Sequence, residues 1–231
     1  TEFRGLKPDR TSPRHLSCTM YGFHSDSDGN LVYDSPLEMD AYLCRKQGRA
    51  SIWYQGTCGL CSCANILRLA GVEATEKEVL DYAANTAKPD SSETLCEKGH
   101  VVNPGLNGAT SPEDRRAILE HFGISSRLSD VAKDQDGKNS DSNMETIAGY
   151  VEEGRGVILS VHADMLWNDA PYSKGNYHAV TVTSVKKDPS GRILGFYICD
   201  SAKNGTKFYQ AEKIKNALTG SKMNVTDQII R

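Results

Sequence analysis

The sequence contains no apolar run approaching the roughly 20 residues that a membrane-spanning helix needs. It also lacks a long basic block, because 27 Lys and Arg stand against 30 Asp and Glu, for a formal charge of −3. A slightly acidic chain matches the electrostatic demands of nucleic acid poorly. These absences predict no membrane span and no nucleic-acid partner.

The composition lacks the bias of a disordered chain, since 38% of the residues are apolar and 25% are charged. The 231 residues suffice for one compact domain or two small lobes with a buried core. The chain begins at Thr1 with neither a methionine nor a signal-peptide pattern, which fits a piece of a longer protein or a trimmed start.

Cysteine is the informative residue type. The sequence has seven cysteines, an odd number that excludes a complete disulfide framework. A chain of this length also needs no disulfides to fold. Cys58, Cys61 and Cys63 are clustered, which indicates a reduced chain whose thiols do chemistry, bind metal or fill the core. We interpret Cys61 and Cys63 as small packing residues, the usual state of a buried free cysteine.

Local patterns predict helices first and a sheet afterwards. Helical signals cover residues 37–47, 58–70, 75–85, 111–122 and 142–154, with Ser142 as the N-cap of the last. Residues 24–33 predict a turn at Asp28-Gly29-Asn30 that enters a short strand. Strand signals cover residues 156–163, 176–186, 193–199 and 206–209, with a short helix at 211–218 and a last edge element at 223–230. This order predicts an α+β fold. We expect a loop-rich segment over 1–52 and a catalytic domain over 53–231, helical to 154 and sheet-forming from 155.

Cys58 is the candidate nucleophile. It lies where the loop YQGT becomes a helix that is apolar nearly all round. Unpaired N–H groups at a helix start favour negative charge and lower the pKa of a thiol. Gly59 beside it leaves room for a substrate backbone. The sequence therefore predicts a reactive thiolate at Cys58.

His178 is the candidate base. It begins an alternating strand, and the tight turn at residues 188–191 predicts that residue 200 or 201 lies opposite it. A carboxylate at Asp200 would orient the imidazole and stabilise its charged form. The alternative is a strand histidine beside a polar strand end. Catalysis is favoured because Cys58 independently supplies the missing partner.

Four stretches resemble the papain-like cysteine peptidases. The nearest branch is that of the peptidases that cut double-glycine leader peptides, together with bacterial papain-fold toxins. The stretches together span about residues 53–210. They are QGTCG at 55–59 with ANIL at 64–67, GATSPED at 108–114 with HFG at 121–123, GVILSVHAD at 156–164 with LW at 166–167, and HAV at 178–180 with DS at 200–201.

The resemblance implies a papain-like fold, in which a helical lobe with a buried cysteine-bearing helix packs on an antiparallel sheet. It implies Cys58 as nucleophile, His178 as general base and Asp200 as orienting group, with no cofactor and no metal. Many relatives place a glutamine six positions before the cysteine as an oxyanion donor, where this chain has Ile52. Gln55 is the candidate for that role here, with the backbone N–H of Cys58 as an alternative donor.

Four further residues are candidates for the substrate cleft. They are Trp53, Tyr54, Gly59 and Trp167, the last of which precedes a loop at residues 168–176 that could form a cleft wall.

The predicted function is proteolysis of a protein substrate through a thioester intermediate. The same triad would serve a glutamine deamidase or a transglutaminase-like acyl-transfer enzyme, and the fold does not choose among these. By analogy with the toxin branch, we expect an effector or toxin domain that acts in the reducing cytosol of a target cell. A cognate immunity protein would then be a partner.

Two readings without catalysis stay open. Cys58 and Cys61, together with Cys96 and His100, could supply four zinc ligands. Against zinc, the first pair lies in a helix-like apolar run without the loop chemistry of a zinc knuckle. The second reading is an inactive papain-like module used for binding.

Overall fold

The structure is a computed structural model that describes residues 23–33, 46–99, 101–168 and 176–230. Most of the helix predicted over 37–47 lies outside these ranges, as does His100. The described part contains eight strands: β1 (Phe23–Ser25), β2 (Leu31–Tyr33), β3 (Ser126–Asp130), β4 (Val157–His162), β5 (Tyr177–Lys187), β6 (Ile193–Asp200), β7 (Gly205–Gln210) and β8 (Lys222–Thr226).

Six α-helices accompany the strands in the described ranges. They are α1 (Cys58–Leu69), α2 (Glu76–Asn85), α3 (Pro112–His121), α4 (Ser142–Glu152), α5 (Ala163–Asn168) and α6 (Ala211–Ala217), and a 3-10 turn covers Pro104–Leu106. No helix of the described residues is long and apolar enough to cross a membrane.

The strands form one antiparallel sheet in the order β1-β2-β5-β4-β8-β3, and β6 pairs with β5 and carries β7. β8 lies between β4 and β3, so the prediction of an edge element at 223–230 is wrong in its position. The edge strand at this end of the sheet is β3, which has no strand signal in the sequence. Its sequence, SRLSD, is too polar to show the alternation of a half-buried strand.

Helix starts follow local sequence closely. Thr75 and Ser111 both form capping boxes, with Glu78 and Asp114 three residues on. The predicted N-cap at Ser142 is wrong, because the helix begins at that residue and Asp141 precedes it as N-cap without a side-chain capping bond. These caps decide where each helix enters the fold.

Helices cover both faces of the sheet. One hydrophobic cluster joins α1, α2 and α3 to sheet residues such as Ile158 and Ala179. The other joins α4, α5 and α6 to residues of the opposite parity, such as Leu159 and Val180. Successive side chains of a strand point to opposite faces of the sheet. Since helices cover both faces, β4 and β5 carry apolar side chains on both. The prediction of an α+β fold with a buried cysteine-bearing helix on an antiparallel sheet is confirmed.

Strands β1 and β2 come from the segment predicted to be loop-rich and separate. β2 nevertheless pairs with β5 through Leu31–Lys187 and Val32–Lys186, so this part of residues 1–52 extends the sheet.

Candidate active site

Cys58 is the first residue of α1. Thr57 is the N-cap, but its hydroxyl donates to Glu76 instead of capping the helix. The first helical hydrogen bond runs from the Cys61 N–H to the Thr57 carbonyl at 2.9 Å. The N–H groups before it have no acceptor inside the helix, and they surround the half-buried thiol of Cys58 with positive partial charge.

Gly59 is required by packing. A Cβ atom at this position would lie 2.0 Å from Oγ1 of Thr110, which belongs to the loop before α3. The space left by Gly59 therefore admits Thr110 beside the nucleophile position, where the sequence analysis expects room for a substrate backbone.

His178 and Asp200 are in contact. Nε2 of His178 lies 2.8 Å from Oδ1 of Asp200, and both side chains are buried. The register differs from the prediction: Thr181 faces Cys199, so Asp200 faces residue 180, two positions from His178. The turn between β5 and β6 spans five residues, from Asp188 to Arg192, and this longer turn shifts the ladder relative to the prediction, while the two irregularities within the ladder cancel. The contact survives because it is a diagonal one on a single face of the sheet.

Trp167 lies against this pair. Its indole Nε1 donates to Oδ2 of Asp200 at 2.8 Å, and its ring meets the His178 ring edge-on with centroids 5.4 Å apart. The Ala202 N–H donates to Oδ1 of Asp200 at 2.9 Å. Trp167 is thus placed on the histidine–carboxylate pair, and these donors hold the carboxylate in one orientation.

The charges of Cys58 and His178 support one another. Burial opposes ionisation of the Cys58 thiol and would raise its pKa. The pKa is nevertheless lowered overall, mainly by the hydrogen bond and charge interaction with His178. A hydrogen bond from the Ala179 N–H and the charge of Arg115 lower it further. Burial likewise opposes a charged His178, but its bonds to Asp200 and Cys58 raise its pKa to about 10.

Asp200 completes this electrostatic arrangement. Burial opposes its ionisation, while His178, Trp167 and the Ala202 N–H lower the pKa of the carboxyl group. The three groups therefore stabilise one another's charged forms, a thiolate, an imidazolium and a carboxylate in series, which is the charge pattern of an activated cysteine.

A buried carboxylate anchors the approach to Cys58. Glu76 accepts hydrogen bonds from the Gly48 N–H at 2.8 Å and from the N–H groups of Arg49 and Ala50 at 3.2 Å. It also accepts from the hydroxyl of Thr57. Sequence reasoning places Glu76 only in the first turn of a helix, and no local signal marks its contact with a loop about 27 residues earlier.

The other predicted cleft residues lie before the helix. Gln55 is exposed, and its backbone N–H donates to Pro104 while its carbonyl accepts from the Gln47 side chain. Trp53 is also exposed, whereas Tyr54 packs partly buried against the α1–α3 cluster. None of the three lines the cleft that contains Cys58 and His178.

That cleft has a volume of about 570 Å³. Besides Cys58 and His178, its lining includes the start of α3 and the loop before it, with Thr110 and Arg115, and Ser160 of β4. Sequence reasoning misses Arg115. The signal that could have found it is helical spacing, because Arg115 shares the buried stripe of α3 with Ile118 and Leu119.

The cysteines have different states. Cys58, Cys63, Cys96 and Cys199 are free, whereas Cys61 is disulfide-bonded. The expectation of a wholly reduced chain, with Cys61 as a free packing residue, is therefore wrong at this position. Cys63 is buried as expected, and burial raises the pKa of its thiol to about 12. Among the described cysteines with resolved shifts, Cys58 alone has a lowered pKa.

The disulfide at Cys61 removes one of the four predicted zinc ligands, because a disulfide-bonded cysteine has no thiolate that could bind the metal. Cys58 is instead engaged with His178. No group of three or more His, Cys, Asp or Glu residues in the described ranges could hold a metal ion.

Comparison with solved structures defines the class of fold. A C39-like peptidase from Bacillus anthracis superposes with a TM-score of 0.52 at 14% identity, over 74% of this chain and 88% of that one. The peptidase domain of Streptococcus ComA, a bifunctional ABC transporter involved in a quorum-sensing pathway, gives 0.45 at 13% identity, over 74% and 92%. The resemblance to papain-like cysteine peptidases is confirmed at the level of the fold.

Proteins with similar sequences occur in mycobacteria. Uncharacterised proteins of Mycobacterium tuberculosis and Mycobacterium bovis are 28% identical over 152 residues, which cover 59% of this chain. The chain spans 63% of the length of these curated relatives. No family model matches the sequence.

Proposed function

We propose that this chain is a papain-like cysteine peptidase that cleaves a protein substrate. Cys58 is the nucleophile, His178 the general base and Asp200 the group that orients and charges the imidazole. The observation that carries the proposal is the position of the His178 ring, which bonds to Asp200 at 2.8 Å and interacts with the Cys58 thiol through a hydrogen bond and opposite charge.

The chemistry follows from these positions. The Cys58 thiolate attacks a peptide carbonyl, and His178 gives its proton to the leaving amine, which leaves a thioester on Cys58. His178 then takes a proton from water, whose attack on the thioester releases the acid and restores the thiolate. The helix-start N–H groups at Cys58 are the candidate donors to the oxyanion, because the exposed Gln55 does not line the cleft.

Cell-wide labelling of new protein N-termini tests the proposal. Cells expressing the wild type are compared with cells expressing Cys58→Ala, and Cys63→Ala serves as a control for loss of a thiol from the same helix. We expect new termini in the wild type and the control, and a loss of at least about a thousandfold in cleavage for Cys58→Ala. Cleavage that persists in Cys58→Ala would overturn the proposal.

The same experiment separates the alternatives. A glutamine deamidase would raise the mass of a target by about one unit without creating a terminus, and an acyl-transfer enzyme would create cross-linked or amine-modified glutamine. An inactive binding module would produce none of these changes. The toxin role and the cognate immunity protein stay predictions, which a growth assay with Cys58→Ala addresses directly.

A further inference from the structure

Arg115 is a buried positive charge in the wall of the cleft. Only 2% of its surface is exposed, although it stands on a helix whose next residue, Arg116, is exposed. Removing an ion from water costs several kcal/mol, so a buried guanidinium normally has a carboxylate partner. None of the carboxylates in the described ranges forms an ion pair with Arg115.

Its hydrogen bonds go to neutral acceptors. Nε donates to Oδ1 of Asn224 at 2.9 Å, one terminal nitrogen to Oγ of Ser160 at 2.7 Å, and the other to the Thr110 carbonyl at 3.5 Å. A guanidinium has five N–H donors in a planar fork, so these contacts leave donors free, and none of the three acceptors carries a charge. They also hold the fork in one orientation between α3, β4 and β8.

A second polar group beside it is unsatisfied. Oγ1 of Thr110 is buried and has no hydrogen-bond partner among the described residues. Thr110 and Arg115 line the same cleft as Cys58 and His178, and the hydroxyl lies next to Gly59. Buried polar atoms of folded proteins almost always have a hydrogen-bond partner. An unpaired hydroxyl in a cleft wall therefore indicates that a bound ligand supplies the partner.

The other charges at the cleft leave this position positive. Asp114 accepts from the Ser111 N–H at 2.8 Å and lies 3.6 Å from Nζ of Lys88, so its charge is largely compensated. Glu97 also lines the cleft, but it is exposed to solvent, which screens it. The deep positive charge of Arg115 therefore has no equally buried, unpaired negative charge beside it.

We propose that Arg115 and Thr110 form a carboxylate-binding subsite next to Cys58, which selects substrates with an Asp or Glu side chain close to the scissile bond. This inference rests on the proposed peptidase function. A carboxylate matches the guanidinium fork, accepts the free N–H donors and the Thr110 hydroxyl, and supplies the missing negative charge.

A cleavage profile on a peptide library tests the inference. Peptides from a digested proteome are incubated with the wild type, Arg115→Gln, Arg115→Lys and Arg116→Gln, and cut sites are identified by mass spectrometry. Arg116→Gln is the matched control, since it removes the same charge from the same helix at an exposed position. We expect acidic residues enriched at one position in the wild type and control, about a tenfold loss in Arg115→Gln, and partial retention in Arg115→Lys.

A second readout needs no substrate. The rate of Cys58 alkylation is measured with iodoacetate, which carries a carboxylate, and with neutral iodoacetamide. Any change in the thiolate fraction affects both reagents alike, so the ratio of the rates reports attraction of the carboxylate. We expect the iodoacetate-to-iodoacetamide ratio to fall several-fold in Arg115→Gln and to stay at the wild-type value in Arg116→Gln.

The outcomes separate the two proposals. Cleavage without acidic enrichment, or an alkylation ratio that Arg115→Gln leaves unchanged, overturns the subsite and leaves the peptidase intact. Cys58-dependent deamidation without cleavage overturns the peptidase, and the alkylation ratio then decides the subsite alone. If Arg115→Gln fails to fold in a thermal melt, Thr110→Val takes its place, with a smaller expected fall in the same ratio.

Discussion

At the scale of single residues, the site depends on charge stabilisation between buried groups. Burial opposes the charge on Cys58, His178 and Asp200 individually, and in each case neighbouring groups outweigh that penalty and shift the pKa in favour of the charged form. Trp167 contributes by donating to the carboxylate and covering the imidazole. The lowered pKa of the Cys58 thiol is therefore a property of the group, because it depends on the neighbouring His178.

The pH dependence of Cys58 alkylation follows from this coupling. In the wild type, the midpoint of labelling should lie below the ordinary thiol pKa of 9.0, because His178 lowers the pKa of Cys58. His178→Gln removes the imidazolium and leaves the burial penalty, so the midpoint should rise relative to the wild type. The measurement is iodoacetamide labelling across pH, followed on the Cys58 peptide by mass spectrometry. Superimposable profiles would show that His178 does not charge the thiol.

The buried Cys63 is the internal control for that experiment. Its pKa is raised to about 12 by burial, so its peptide should stay unlabelled at every pH used with either protein. Labelling of Cys63 would mean that the variant has unfolded locally.

At the scale of elements, the start of α1 is held by a residue of another helix. The Glu76 carboxylate at the first turn of α2 binds three successive N–H groups of residues 48–50 and the Thr57 hydroxyl. The loop before Cys58 thereby acquires a defined path although it has no regular secondary structure. The proposed oxyanion site of backbone N–H groups would depend on such support.

Glu76→Gln tests this anchor. An amide can accept with one oxygen only, and its NH₂ group would face backbone donors, so we expect the free energy of unfolding to fall by about 1–3 kcal/mol. The matched control is Glu73→Gln, at an exposed position three residues earlier, which should change it by less than about 0.5 kcal/mol. Chemical denaturation measures both. Equal stability of the two variants would remove the anchoring role.

At the scale of the whole molecule, the sheet is shared by two hydrophobic clusters. α1–α3 pack on one face and α4–α6 on the other, while β4 and β5 contribute side chains to both. Because β4 and β5 belong to both clusters, loss of packing in one cluster also destabilises the other. The described part should therefore unfold as one cooperative unit.

Two core truncations test this cooperativity. Leu159→Ala lies in one cluster and Ile66→Ala in the other, and both side chains are fully buried. Each should lower the free energy of unfolding by about 2–5 kcal/mol in a single transition. Val102→Ala, at a side chain that is 98% exposed, should cost less than about 0.5 kcal/mol. Two separate calorimetric transitions would instead indicate independently stable lobes.

Local sequence determined much of this protein. Features that act over a few residues can be predicted from the sequence. They include the capping boxes at Thr75 and Ser111, the alternation that defines β5 and the turn after it. The approximate meeting of His178 and Asp200 followed from the turn alone. The sequence also made Cys58 the candidate nucleophile, since the free N–H groups of a helix start favour a thiolate.

Tertiary structure decided the rest. The pairing of β5 with β6 placed His178 diagonal to Asp200, and chain topology put β8 inside the sheet instead of at its edge. The roles of Glu76 and Arg115 depend on partners that are distant in the sequence. Glu76 binds the backbone N–H of Gly48, and Arg115 binds the side chain of Asn224. Local pattern determines which elements form, because propensity and capping are short-range. Which polar groups are buried together is decided by packing, because only the assembled layers bring distant residues out of water at the same place.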